Sequence, residues 1–191
     1  MGVAKYNVLG KVFKNKKGLD FIVLELENRS SIGAALYKVQ FLKSGYISHN
    51  VTSGHIRNGE VKDNYSPSVF GVGCLGEAEG YAKRNESRRL YYTWRGMLRR
   101  CYDKTYSKYQ WYGGRGVTVC ERWHRLDYFI EDIVKLPGYD AKAFEAGLIE
   151  LDKDIIDYEK KEYSPETCSL VTHAANNRIA LMRRWHPEQF A

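Results

Sequence analysis

Between Tyr112 and Gly116 the chain reads YGGRG, three glycines and one arginine in five positions. Glycine lets backbone amides approach a ligand closely, and a guanidinium offers phosphate oxygens a planar, permanently charged fork. The run therefore has the parts of a phosphate-gripping turn, with Arg115 as its charged group. The same residues also suit a hairpin turn whose glycines only permit positive φ, with Arg115 in solvent or stacked on Trp111 or Tyr112. Upstream, in SRRLYYTWRGMLRRCY, Arg88, Arg95 and Arg99 recur at intervals of seven and four, which lines them along one helix face. Arg84 stands just before them, with Arg89 and Arg100 alongside. Lys108 follows within YSKYQWY, whose aromatic rings suit either stacking on bases or a local core. Further on, ELDKD alternates Glu150, Asp152 and Asp154 onto one face of a strand, as hard oxygen donors or simply as its solvent side.

The charge distribution agrees with an anionic partner. The chain of 191 residues carries a net charge of +7, and the excess is local. Residues 83–125 hold 12 Lys/Arg against 3 Asp/Glu, whereas residues 126–162 hold 5 against 11. A polyanion meets the middle of the chain first. The stripe has few acidic partners one turn away, so its charges repel unless a counter-anion arrives; the plainer alternative is a solvated helix side. No window has the roughly 18 consecutive apolar residues of a membrane span, and the N-terminus lacks the apolar core of a signal peptide, so a soluble, cytoplasmic protein with no membrane partner is expected. The four cysteines, Cys74, Cys101, Cys120 and Cys168, form no CxxC pair and read as small buried groups in a reducing compartment.

These residues need elements to hold them. The first sixty or so positions read as short strands, YNVLGKVF, DFIVLEL, ALYKVQFL and GYISHNV, in a small antiparallel β-module of up to five strands spanning residues 1–66. A Gly/Ser-rich connection is expected over 67–86; the GVG within it lacks the further glycine and helix of a nucleotide-binding turn. The third segment covers 87–191. Leu90, Tyr91, Trp94, Met97, Leu98 and Cys101 mark one face of a helix that Ser87 caps, and Leu126, Phe129, Ile130, Ile133 and Val134 mark a shorter one ending at Pro137-Gly138. GLIELDKDI, CSLVT and HAANNRIALMRRW then read as strand, strand and helix, with Thr172 as N-cap. The expected class is α+β: the β-module, a basic helical region and a C-terminal ββα unit.

GGRGVTVCERW, LDKDI, YSPETCSLV and the NN of the last helix together resemble a widespread group of phage-encoded proteins described as HNH-type, or His-Me finger, homing endonucleases. The resemblance covers about residues 88–180, and SGYI with IRNGEVKDNYSPSVFGVG is similar to an accessory module of such proteins. It implies double-stranded DNA as partner, phosphodiester hydrolysis, and Mg²⁺ or Mn²⁺ as cofactor. In such a unit a histidine at the end of the first strand deprotonates water, and helix residues help to hold metal and phosphate. Here Asp152 and Asp154 match the metal-binding strand and Asn177, or Asn176 beside it, matches the last helix position; Lys153 stands where the histidine is expected, and Thr167 near the place of a central Asn. His173, inside the ββα unit, is a further candidate base, and His124 another. Two alternatives stay open: a degenerate scaffold that only binds DNA or RNA, and a phage effector that binds a host protein through segment 126–162 or the β-module.

Overall fold

The computed structural model describes residues 7–78, 80, 88–156 and 159–185. It is of mixed α+β type and divides into two compact units, Met1–Ser66 and Pro67–Ala191. No helix among the described residues is long and apolar enough to cross a membrane.

The first unit is a four-stranded antiparallel meander in the order β1-β2-β3-β4, formed by Val12–Lys14, Asp20–Arg29, Ala35–Phe41 and Ile47–Thr52. Strand β3 buries Tyr37, Val39 and Phe41 at intervals of two, so the aromatic Tyr37, not Leu36, belongs to its inward series. Phe21, Val23, Val51, Ile56 and Val61 complete that core. No fifth strand follows β4, because Thr52 accepts a hydrogen bond from the His55 amide (3.2 Å) and starts helix α1, Ser53–Arg57. The buried Asn15 ties the β1–β2 turn down: its Oδ1 accepts from the amides of Lys17 and Leu19, and its Nδ2 donates to the Val61 carbonyl at 3.1 Å.

The second unit is built on helix α2, Arg88–Tyr102. Its buried residues, Leu90, Trp94, Met97, Leu98 and Cys101, follow the 3.6-residue period, and each large apolar side chain contributes roughly 1.5–3 kcal/mol by leaving water. The cap expected at Ser87 and the charge expected at Arg84 lie outside the described residues. Against α2 pack helix α3, Leu126–Ile133, and helix α4, Ala141–Glu145, whose cap Asp140 accepts from the Ala143 amide at 2.7 Å. Trp94 Nε1 donates to the Trp123 carbonyl at 2.7 Å, and the Trp123 ring meets Phe129 edge-on at 5.2 Å.

Residues 67–78, expected as a connection, belong to this core. The Cys74 amide donates to the His124 carbonyl, the Leu126 amide donates to the Cys74 carbonyl, and Val69, Phe70, Val72 and Leu75 pack on the buried cluster. Two small sheets finish the unit. Strand β5, Thr118–Val119, runs parallel to β7, Glu162–Tyr163; β6, Ile149–Asp152, pairs antiparallel with β8, Ser169–Thr172, in the register Ile149↔Thr172 to Asp152↔Ser169. Helix α5, His173–Trp185, follows β8 directly.

Cys101 and Cys168 sit in this core, and burial pushes both thiols up to about 12. Cys120, half-buried, is also raised by burial. Since the thiolate is the nucleophile, an aromatic disulfide reagent at pH 8 is expected to leave Cys101 and Cys168 unmodified in native protein and to modify them on unfolding. Rapid modification of either in native protein contradicts this packing.

Candidate functional site

The arginines of α2 divide into two groups. Arg88, Arg95 and Arg99 lie on the outer side, each beside a ring: Arg88 is 5.7 Å from Tyr92, Arg95 is 5.1 Å from Phe70, and Arg99 is 4.3 Å from Tyr106. Arg99 also meets Asp103 one turn on, at 3.2 Å. Arg89 and Arg100 turn inward. Arg89 donates to the Ile149 carbonyl at 3.2 Å and stands 5.1 Å from the Phe144 ring, tying α2 to β6. Arg100 lies between the rings of Tyr112 and Tyr163, at 5.3 and 5.5 Å. Burial works against its charge, but the neighbouring Tyr163 and Tyr112 outweigh it and hold its pKa above the usual guanidinium value.

The YGGRG run follows a 3₁₀ turn, Tyr109–Trp111, and forms a second one, Gly113–Arg115, after which Gly116 takes a φ of 82°. It is no hairpin, because the chain passes into β5, which pairs in parallel with β7. Gly113 is there for space: a Cβ at that position would stand 2.1 Å from the Cys101 carbonyl oxygen and 2.4 Å from the Tyr109 ring. Arg115 is exposed, with its guanidinium 4.6 Å from the ring of Trp111, itself 55% exposed. Lys108 is exposed on the same short segment. A guanidinium flattened on an indole keeps its N–H edge for an anion while the stack limits the rotamers it loses on binding.

The β6–β8–α5 unit holds the acidic candidates. Asp152 Oδ1 accepts from the amides of Asp154 and Ile155 at 2.8 and 3.0 Å, which makes it the cap of the turn leaving β6. Asp154 pairs with the ammonium of Lys153, whose side chain is buried. The side chain in the position expected for a catalytic histidine is thus packed inside an ion pair. Thr167, near the place of a central Asn, is also structural: its hydroxyl donates to the Glu162 carbonyl at 2.7 Å and accepts from the Ser164 amide at 3.0 Å. His124 Nε2 stands 3.2 Å from the Tyr102 hydroxyl. Tyr102 in turn bonds the backbone of Val119, so His124 serves the core.

On the helix side, Thr172 is the N-cap, accepting from the Ala175 amide at 3.2 Å. Glu150 receives two partners on one oxygen: Asn176 Nδ2 donates at 2.9 Å, and His173 Nδ1 stands at 3.2 Å. Asn177 is exposed, one turn beyond His173. The pairing of Glu150 with His173 and Asn176 was missed in the sequence. The signal is faint: an outward carboxylate on the first strand and a histidine and asparagine three apart at the helix start, joined only by the β6–β8 register.

Among the described residues no group of three His, Cys, Asp or Glu side chains is placed to hold a metal ion. With Asp152 capping a turn and Asp154 paired to Lys153, this donor set does not fit a Mg²⁺ or Mn²⁺ centre, which needs oxygen ligands converging on one point. No family model matches the chain, and no curated protein and no solved structure matches it.

Proposed function

We propose that this chain is a DNA-binding protein of the phage HNH, or His-Me finger, homing-endonuclease kind. Its second unit grips the phosphate backbone of double-stranded DNA, and its β6–β8–α5 unit hydrolyses a phosphodiester. The observation that carries the binding half is an arginine and aromatic surface: the exposed pairs Arg88 on Tyr92 and Arg115 on Trp111 and the half-buried Arg99 on Tyr106, with Lys108 a few residues before Arg115. The N–H edges of Arg88 and Arg115 suit phosphate, whereas Arg99 already meets Asp103, and exposed rings suit bases or sugars. The hydrolytic half is supported by the resemblance and by a helix that follows two paired strands. The resemblance implies Mg²⁺ or Mn²⁺ as its cofactor, but Asp152 and Asp154 as placed do not form a centre for either ion.

A second reading, a catalytically silent binder of DNA or RNA on the same scaffold, is favoured by Lys153, buried and ion-paired where the base is expected. Fluorescence anisotropy with labelled duplex, titrated from 50 to 200 mM salt, tests binding. Affinity is expected to fall by about 10² or more over that range if four or more phosphates are contacted. Arg115→Ala and Lys108→Ala are each expected to weaken binding roughly threefold or more and to flatten the salt dependence by about one counterion. Incubation with supercoiled and linear DNA, with Mg²⁺ or Mn²⁺ against EDTA, tests cleavage. Metal-dependent nicks support the endonuclease; retention without cleavage supports the silent binder. Absence of retention at low salt points to a host protein as partner.

A further inference from the structure

We infer that helix α5 carries a self-association surface: its outward apolar face packs against helix α4 and Leu148 of a second copy of this chain, once in each direction across a two-fold axis. The inference does not depend on the DNA reading. Asn176 and His173, the residues that reach Glu150 on β6, lie in the first turn of α5. At about 100° per residue, Leu181, Met182 and Trp185 fall about 120–180° round the helix from Asn176, whereas Ile179 falls about 60° from it. Exposure follows that division. Ile179 is half-buried, and Leu181, Met182 and Trp185 are 55%, 40% and 68% exposed. The buried cluster of the second unit contains none of the three. Helix α5 therefore turns its apolar stripe away from the body, the reverse of an ordinary surface helix, and exposed apolar side chains grouped in this way mark an interaction surface.

Charge selects the occupant. The exposed Arg178 falls in the middle of the stripe, and α5 carries Arg178, Arg183 and Arg184 with no Asp or Glu. A second α5 would set these charges against their own kind, and an uncharged groove would leave Arg178 without a counter-charge. Segment 126–162, with 11 Asp/Glu against 5 Lys/Arg, has the opposite sign. Within it Asp140 and Glu145, at the two ends of α4, are exposed, and Leu148, just beyond, is 61% exposed. An apolar side chain flanked by carboxylates complements an arginine flanked by apolar side chains. The stripe points away from its own unit, so the α4 that covers it comes from another copy. A two-fold axis makes the contact twice and doubles the area withdrawn from water.

In sedimentation velocity the full chain is expected to pass from monomer to dimer between about 1 and 100 µM. Leu181→Ser combined with Trp185→Ser is expected to weaken the dimer about 10²-fold or more. The thermal midpoint of that double variant, measured where both proteins are monomeric, is expected to stay within about 2 °C of wild type, because both side chains are exposed in one copy. Arg178→Glu is expected to weaken the dimer about tenfold or more, and Glu145→Arg in the same chain to recover most of that loss. A chain that stays monomeric to about 100 µM, a dimer that survives the double variant, or a charge exchange that recovers nothing overturns the inference. A monomer whose binding to DNA duplex, or to vesicles of anionic phospholipid, falls in the double variant also overturns it and gives the face to that ligand. A chain that dimerises as expected but retains no duplex upholds the inference and ends the DNA reading alone.

Discussion

Gly138→Ala is expected to cost the second unit about 3 kcal/mol, read as a fall of roughly 10 °C in its thermal unfolding midpoint. Two causes add. The residue has a φ of +78°, where a Cβ meets its own backbone, and the added carbon would stand 2.1 Å from the Leu170 carbonyl oxygen. That oxygen belongs to β8, and the Leu170 amide donates to the Pro137 carbonyl at 2.8 Å, so the turn after α3 and the strand before α5 are locked at this contact. Relief requires moving β8, and with it the register that sets His173 beside Glu150. Gly116→Ala separates the causes, because Gly116 also has a positive φ, +82°, but nothing lies within 4 Å of its added Cβ. It is expected to cost about 1 kcal/mol. Equal losses for the two variants contradict the close approach at Leu170.

Trp123→Ala is expected to cost roughly 3–5 kcal/mol in urea unfolding. The side chain is fully buried, its ring packs on Phe129, and its own carbonyl accepts from Trp94. Its Nε1 donates to Asp132 Oδ2 at 2.9 Å, and Arg122 reaches the same carboxylate at 2.7 Å. Burial alone would raise the Asp132 pKa, but the hydrogen bonds from Arg122 and Trp123 outweigh it and hold the carboxyl below its usual range. Trp123→Phe keeps an aromatic ring but removes the N–H and part of the indole, so about 1–2 kcal/mol for the hydrogen bond adds to a packing loss that does not depend on pH. The pH dependence has a definite sign. A depressed carboxylate contributes its full stability above its unfolded value of about 3.9 and loses it as pH falls through the lower folded value. The difference between wild type and Trp123→Phe is therefore expected to be complete at pH 7 and to shrink below about pH 4. A difference that stays constant down to pH 2 contradicts the Trp123–Asp132 bond as its source.

The two variants bracket the site from below. Trp123 holds α2 against the segment that leads into α3, and α2 carries the outward arginines; Gly138 holds β8, and β8 carries α5. Loss of DNA retention in either variant is thus expected to follow unfolding of the second unit. Arg115→Ala is expected to differ, since removing an exposed guanidinium from an exposed ring weakens the proposed DNA binding without lowering the midpoint.

What the amino-acid order determined by itself is what depends on neighbours within a few positions. The buried face of α2 follows from the spacing of Leu90, Trp94, Met97, Leu98 and Cys101, and the caps at Thr52, Asp140 and Thr172 act across three residues. The concentration of positive charge in residues 83–125 is equally a property of the chain alone. What only the tertiary structure decided is which of those charges face outward. Arg89 and Arg100 have the same side chain as Arg88 and Arg99, but the Ile149 carbonyl and the Phe144 ring draw one inward, and the Tyr112 and Tyr163 rings draw in the other, from 55 to 63 residues away for all but Tyr112. The carboxylates divided in the same way: period two put Glu150 and Asp152 on one strand face, but a turn claimed Asp152 and helix α5 claimed Glu150. Local periodicity says on which face a side chain begins, whereas its partner is set by strand register and helix docking, and those contacts are made between segments that the linear order keeps apart.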